Sequence, residues 1–202
     1  MRFRSSKKEK VYNFLLEVAQ EIAKRKLGGL FVVAPKSDFK KVYEPLYPQL
    51  VSRQKIFEKG SKELLVKLAE LDGAFLVGDD GTLVAFGARI KKSRALPGYG
   101  TKHAAAAGIT SHLGRAQAIL VSEETSWVKV FRDGKVVLEM DPEKTSASTM
   151  NKVVSFITDN DTTLLATAGV SAAIMGIMPV VVVSGTYLAL KTASGVIRKG
   201  WK

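Results

Sequence analysis

Residues 99–108 hold the side chains whose types and spacing could bind a charged ligand. Gly100 lets the backbone come close to a ligand, and the hydroxyl, cation and imidazole of Thr101, Lys102 and His103 follow it directly. The four alanines after His103 favour a helix, and the first N–H groups of that helix would form an anion site beside these side chains. The stretch therefore predicts a phosphate-binding helix start, and the alternative is a capped helix with a structural histidine.

Two further groups of polar residues stand where a predicted strand begins or ends. Asp72 and Gly73 join a predicted helix to a buried strand, a position from which a carboxylate can reach a ligand in α/β folds. Ser122, Glu123 and Glu124 follow another predicted strand, and adjacent carboxylates could hold a divalent cation. The alternatives are ordinary helix-end residues at Asp72 and a solvated loop after Ser122.

The cysteine and histidine content limits the metal sites that the chain can build. The absence of cysteine excludes a disulfide framework and a cysteine zinc site, and the two histidines, His103 and His112, exclude an all-histidine site. A metal would therefore need carboxylates and phosphates among its ligands. The basic start of the chain lacks the apolar core of a signal peptide, and we expect a cytoplasmic protein.

The positive charge is concentrated at the front of the chain. The net charge is +12, and residues 1–60 supply +8 of it through 14 Lys/Arg against 6 Asp/Glu. Such a field attracts nucleotides, nucleic acid or an anionic membrane surface. Because no aromatic residues are interleaved with the cations, we expect no specific nucleic-acid partner, and salt-dependent binding to nucleic acid is a further hypothesis.

The hydrophobic pattern predicts alternating helices and strands. Apolar residues at helical spacing predict helices over residues 10–25, 37–43 and 61–71, the last capped by Ser61, and another after Gly100. Short apolar runs predict strands over residues 30–34, 75–77, 83–86, 118–121, 127–131 and 135–138. This interleaving predicts an α/β fold, a mixed β-sheet flanked by helices.

Three motifs occur in a fixed order on these elements: Asp72-Gly73-Ala74, then Gly100-Thr101-Lys102-His103, then Val121-Ser122-Glu123-Glu124. Together they resemble the catalytic domain of the diadenylate cyclases, the domain found at the front of the DNA-integrity scanning protein. The resemblance runs from about residue 61 to about residue 138 and includes the hairpins that follow the first and the third motif.

The resemblance implies a reaction, a cofactor and partners. Such domains join two ATP molecules into cyclic di-AMP and release pyrophosphate, with one ATP held by each of two facing subunits. The 3′-hydroxyl of one ATP attacks the α-phosphate of the other, assisted by a divalent metal (Mn, Mg or Co). The same family has a mixed sheet flanked by helices, as the hydrophobic pattern predicts here.

The resemblance also implies roles for individual residues. The catalytic residues would be Asp72, Gly73 and His103, with Asp72 orienting or deprotonating the ribose 3′-hydroxyl. The residues expected to bind ATP and its phosphates are Gly73, Gly100, Thr101, Lys102, His103 and Ser122. The residues expected to help with the metal are Asp72, His103, Glu123 and Glu124.

The central motif departs from the usual family pattern, Gly-Thr-Arg-His-Arg. Lys102 replaces the first arginine and loses its bidentate geometry, and Ala104 replaces the second and loses its charge. Lys91, Lys92 and Arg94 are candidate substitutes, although a solvated loop is the favoured interpretation of these three residues. An active cyclase is the leading hypothesis, and a non-catalytic module that binds nucleotides or cyclic dinucleotides is the alternative.

The chain divides into three parts by pattern. These are a basic helix-strand-helix part of the domain over residues 1–60, a catalytic core over 61–140, and a C-terminal extension over 141–202. Residues 162–190 of the extension hold no charge and are long enough to cross a bilayer. The favoured interpretation is buried packing of residues 162–173 and 180–190, with residues 180–183 as a strand, and membrane association is the alternative.

Overall fold

The computed structural model describes residues 6–94, 100–143, 145–158 and 180–181. Its helices in these ranges are α1 (Lys7–Lys24), α2 (Ser61–Leu68), α3 (Thr101–His112) and α4 (Ala147–Thr158), with a 3₁₀ helix at Lys36–Phe39. Its strands are β1 (Gly29–Ala34), β2 (Tyr43–Pro45), β3 (Ala74–Gly78), β4 (Leu83–Ile90), β5 (Gln117–Val121), β6 (Val128–Arg132), β7 (Lys135–Met140) and β8 (Val180–Val181).

The strands form one mixed sheet in the order β2-β4-β3-β1-β5-β6-β7-β8. β1 and β3 are parallel, with Phe31 opposite Phe75, and every other neighbouring pair is antiparallel. In the β1–β5 pair, Gly29 lies opposite Val121. The starts of β1 and β3 and the end of β5 therefore share one edge of the sheet.

Helices cover both faces of this sheet, as the hydrophobic pattern predicts. In β1, Leu30 and Val32 pack in the apolar layer under α3, whereas Phe31 and Val33 pack in the layer that holds α1, α2 and α4. Since β1 is buried on both faces along its whole length, its sequence is a continuous apolar run. Residues 1–60 and 61–140 thus contribute to one shared sheet.

The predicted helix over residues 10–25 is confirmed as α1, and it begins earlier. The Ser6 hydroxyl accepts the N–H of Glu9, and the Glu9 carboxylate accepts the N–H of Ser6, which forms a capping box. One stripe of α1 is fully buried, so tertiary packing stabilises the helix along its length.

Helix α4 is an element of the C-terminal extension that the sequence analysis missed. Its buried side chains, Met150, Val153, Val154 and Ile157, recur at the spacing of one helical face. The carbonyl of Ile157 accepts hydrogen bonds from Gln117 Nε2 at 3.0 Å and from Arg132 Nη2 at 2.6 Å. The end of α4 is therefore fixed to the start of β5 and the end of β6.

Two predictions of local structure are wrong. The helix expected over residues 37–43 is a 3₁₀ helix at Lys36–Phe39 followed by β2, because β2 pairs with β4 and this long-range pairing overrides the local pattern. The N-cap of α2 is Gly60 instead of Ser61. Its φ of +83° lies in the left-handed region, which glycine adopts without a steric penalty.

The apolar segment 162–190 lies outside the described residues except for Val180–Val181. These two residues form β8, the outermost strand on one side of the sheet, which pairs with Glu139 and Met140 of β7. This agrees with the strand predicted there. Within the described ranges, no helix combines the length and the apolar character needed to cross a membrane. For the rest of the segment, the expected buried packing and the alternative of membrane association both concern residues outside the described ranges.

Candidate functional site

Two adjoining clefts open at the sheet edge where β1 and β3 begin and β5 ends. The polar cleft, of about 310 Å³, is lined by Asp72, Gly100, Thr101, Lys102, His103, Leu120, Val121, Ser122, Glu123 and Glu124. The apolar cleft, of about 360 Å³, shares Asp72, Thr101 and Lys102 with it. The three sequence motifs therefore meet at this edge, although they are far apart along the chain.

Asp72 lies in the connection between α2 and β3, where the sequence analysis expected it. The backbone of Gly73 has a φ of +102° and runs against β4. A Cβ on Gly73 would lie 2.5 Å from the carbonyl carbon of Gly87 and 2.7 Å from the nitrogen of Ala88. Only glycine fits there, so the backbone next to Asp72 is held in place, and the exposed Asp72 carboxylate accepts the N–H of Gly73 at 2.8 Å at the mouth of both clefts.

Helix α3 points its N-terminus at the clefts. Gly100 caps it with extended backbone and no side-chain hydrogen bond, so the first N–H groups of the helix have no competing side-chain acceptor. Thr101 is exposed at this end. The arrangement gives an anion a set of N–H donors, a hydroxyl and the positive end of the helix dipole.

The loop after β5 supplies the third side of the polar cleft. Ser122 N donates to Trp127 O at 2.9 Å, and Ser126 N donates to Ser122 O at 2.9 Å. The Ser122 hydroxyl oxygen accepts the N–H of Thr125 at 3.4 Å. The loop thus closes on itself and leaves Glu123 and Glu124 exposed beside the cleft.

Lys102 and Glu123 form an ion pair across the polar cleft. The Glu123 side chain lies over Gly28, where a Cβ would come within 2.3 Å of its Oε1 atom. Sequence analysis placed Lys102 with the phosphate-binding residues and Glu123 with the metal ligands, and it missed their direct contact. A phosphate that binds Lys102, or a metal that binds Glu123, would have to break this ion pair or bind beside it.

His103 lines the polar cleft and also contacts the sheet. Its ring packs edge-to-face on Phe131, with the ring centroids 6.2 Å apart. Burial, and next the positive charge of Lys129, lower the pKa of His103. The imidazole is therefore held in its neutral form near the clefts, where it can accept a hydrogen bond or contact a cation.

The apolar cleft is walled mainly by apolar side chains. Its apolar wall is built from Leu30, Leu46, Ala74, Ala88, Ile90, Ala104 and Ala105. Leu46 is 41% exposed although it lies on a wall of the cleft, so its side chain is available to a ligand. Pockets with an apolar wall and a few polar groups at one end are typical small-molecule sites.

The carboxylates at the clefts do not form a ready-made metal cluster. Among the described residues, no three His, Asp or Glu side chains are grouped closely enough to hold an ion. Asp72, Glu123 and Glu124 nevertheless line the same cleft, and magnesium is usually held by one or two carboxylates together with substrate phosphates. The residues present therefore fit a cation that shares phosphate ligands.

The model of the family described as the DisA bacterial checkpoint controller nucleotide-binding (DAC) domain matches residues 17–136. This is more than half of the 202-residue chain. The match begins well before residue 61, where the resemblance of the motifs begins, and it includes the C-terminal part of α1 and all of β1.

Two curated relatives are each named diadenylate cyclase. The protein from Methanocaldococcus jannaschii is 32% identical over 146 residues, which cover 67% of this chain and 47% of the relative. The protein from Haloferax volcanii is 30% identical over 140 residues, which cover 64% of this chain and 52% of the relative. The chain spans about half the length of these relatives.

Solved structures share the fold. DacA from Staphylococcus aureus, solved as a double-cysteine mutant, has a TM-score of 0.55 and 25% identity, covering 75% of this chain and 97% of its own. A hypothetical membrane spanning protein from Bacillus cereus has a TM-score of 0.50 and 25% identity, covering 61% of this chain and 60% of its own. Because the family model spans every residue that lines the two clefts, we conclude that this chain belongs to the diadenylate cyclase (DAC) domain family.

Proposed function

We propose that this chain is a metal-dependent diadenylate cyclase that joins two ATP molecules into cyclic di-AMP and releases two molecules of pyrophosphate. One observation carries the proposal: Asp72, the first turn of α3 and the loop at residues 122–124 line two adjoining clefts at one sheet edge. The names of the two curated relatives, both diadenylate cyclases, support the same reaction.

Each half of the reaction forms one phosphodiester bond. The 3′-oxygen of one ATP attacks the α-phosphorus of the other, the bond to the β-phosphate oxygen breaks, and pyrophosphate leaves with the electron pair. Asp72 would orient the 3′-hydroxyl and accept its proton. Thr101 and the first N–H groups of α3 would hold the phosphate oxygens. Such positioning and charge stabilisation account for most of the catalysis in phosphoryl transfer.

The remaining roles follow from the lining of the polar cleft. Ser122 is 6% exposed, and since its oxygen accepts a backbone N–H, its hydroxyl hydrogen is available to a phosphate. A divalent metal (Mn, Mg or Co), when bound, would neutralise phosphate charge and polarise the α-phosphate. Asp72, His103, Glu123 and Glu124 are the residues that we propose to hold it together with phosphate oxygens.

Catalysis would require a second copy of the chain. The product contains two adenylate units, and each unit must present its 3′-hydroxyl to the other, so two ATP-loaded clefts have to face one another. Because the active species would be a dimer, we expect the specific activity to rise with protein concentration. Because ATP is the substrate, we propose a cytoplasmic site of action, with membrane association through residues 162–190 as a separate possibility to test by membrane fractionation.

The test is product analysis of purified protein incubated with ATP and Mn²⁺. Asp72→Asn should lower cyclic di-AMP formation by at least about a hundredfold, the usual scale for a lost general base, while the melting temperature stays unchanged. The matched control is Asp79→Asn, an exposed aspartate just after the opposite end of β3, which should keep full activity. Full activity in Asp72→Asn would refute the role of Asp72.

The second candidate is a non-catalytic nucleotide or cyclic dinucleotide sensor on the same scaffold. The ion pair between Lys102 and Glu123 favours it, because that pair occupies two side chains that the cyclase reaction would use. Ala104, which stands where the family usually has arginine, favours it as well. A sensor would bind ATP or cyclic di-AMP saturably and release no pyrophosphate at any protein concentration.

A further inference from the structure

The two clefts carry too little available positive charge for a triphosphate. The charged side chains that line them are three carboxylates and two cations: Asp72, Glu123, Glu124, Arg89 and Lys102. Both cations already have carboxylate partners, since Arg89 Nη2 lies 2.8 Å from Glu44 Oε2 and Lys102 is paired with Glu123. A nucleoside triphosphate carries several negative charges, and a side-chain cation on the rim would balance those that the proposed metal leaves uncompensated.

The segment that follows β4 brings cations to that rim, and its backbone is held against α3. A Cβ on Gly108 would lie 2.2 Å from the carbonyl oxygen of Lys92 and 2.7 Å from the nitrogen of Arg94, so glycine permits this close contact. Arg94 N donates to Ala104 O at 2.9 Å. Ser93, between these two residues, lines the apolar cleft. Arg94 is therefore anchored beside the site.

The anchor places Arg94 within reach of the phosphate-binding turn. Ala104 lies three residues along α3 from Thr101, which is about 4.5 Å along the helix axis, and an extended arginine side chain is longer than that. Arg94 is exposed and makes no ion pair with any residue in the described part of the chain. The methyl side chain of Ala104 leaves room above the first turn.

We propose that Arg94 binds a phosphate group of the nucleotide held in the two clefts and supplies the positive charge that their lining lacks. The inference rests on the proposed function and deepens it. Arginine suits the task because its planar guanidinium can donate two hydrogen bonds to one phosphate. The position from which it acts is set by the backbone contacts of Gly108 and Ala104.

The experiment measures the Kd of a non-hydrolysable ATP analogue and the KM for ATP in a set of variants of the full chain. Arg94→Ala should weaken both by about tenfold or more, the scale of a lost charge-assisted hydrogen bond, with an unchanged melting temperature. Arg94→Lys should recover part of the loss. The matched control is Arg115→Ala, which removes the same side chain just beyond the other end of α3, where it is 71% exposed and pairs with Asp38.

A rescue variant separates phosphate binding from a structural role. Ala104→Arg in the Arg94→Ala background should restore most of the affinity, because residue 104 lines the apolar cleft one turn from Thr101. Equal Kd values for Arg94→Ala and Arg115→Ala, or a fall in affinity that only follows a fall in melting temperature, would overturn the inference alone. Wild-type protein that neither binds the analogue nor forms product would overturn the proposed function and the inference together.

Discussion

Gly73→Ala tests whether backbone geometry fixes Asp72 in its place. The substitution adds one methyl group at a residue whose φ is +102°. The new carbon would lie 2.5, 2.7 and 2.8 Å from three backbone atoms of Gly87 and Ala88. Since these atoms belong to a strand inside the sheet, they cannot rotate away as the end of a flexible side chain could.

The expected loss of stability has two parts. Holding an alanine at positive φ costs about 1–2 kcal/mol, and forcing an extra carbon into a packed site costs about 1–3 kcal/mol. Together they should lower the free energy of unfolding by about 3 kcal/mol, which for a chain of this size lowers the melting temperature by about 6–12 °C. The carboxylate of Asp72 would shift with the backbone, so cyclase activity should fall as well.

Alanine substitutions at two other glycines distinguish the cost of a positive φ from the cost of the steric clash. Gly60 has a φ of +83° and no atom within 4 Å of the added carbon, and Gly114 has open space as well without a positive φ. Gly60→Ala should therefore cost about 1 kcal/mol and Gly114→Ala less than about 0.5 kcal/mol. Thermal and urea unfolding of all three variants would rank them, and a Gly73→Ala variant as stable as Gly60→Ala would refute the steric argument.

Two predictions concern pH. Burial would raise the pKa of Asp80, but hydrogen bonds, first from Lys55 and then from Lys36, outweigh it and hold the pKa of Asp80 below its ordinary value. Its stabilising contribution is complete well above the unfolded pKa of about 3.9 and is lost progressively as the pH falls from there toward the folded value, so urea unfolding between pH 7 and 3 should show the onset of a decline that Asp80→Asn reduces. Because burial and Lys129 lower the pKa of His103, stability should also decline as the pH falls below about 6.5, and His103→Gln should flatten that decline in the same titration.

The sequence predicts the central elements of the fold because their signals are local. The apolar stripe of α1 and the continuous apolar runs of β1, β3 and β5 are visible in short stretches of sequence, and all four elements are confirmed. β2 has no such signal, since the partner that makes it a strand is β4, about 45 residues away. Helix α4 does have a local signal, the helical spacing of Met150, Val153, Val154 and Ile157, and this spacing is enough to predict the helix.

The candidate site could be predicted only in part for a related reason. Each motif is visible in the sequence, but their meeting depends on the pairing of β1 with β3 and with β5, and the motifs could be grouped beforehand only through the resemblance to a family. The ion pair of Lys102 with Glu123 and the anchoring of Arg94 on Ala104 join residues that no local pattern connects. The catalytic and metal-binding roles of the residues stay predictions.

Because of where the site lies, most substitutions of its side chains should change activity without changing stability. The core lies along both faces of the sheet, whereas Asp72, Thr101 and Arg94 are exposed at one edge. Removing an exposed polar side chain there costs little stability, so its effect on turnover can be measured in a folded protein. The glycines differ, because Gly73 and Gly108 hold the backbones that carry Asp72 and Arg94. Substitution of these glycines should therefore impair stability and activity together, and substitution of the side chains that they position should impair activity alone.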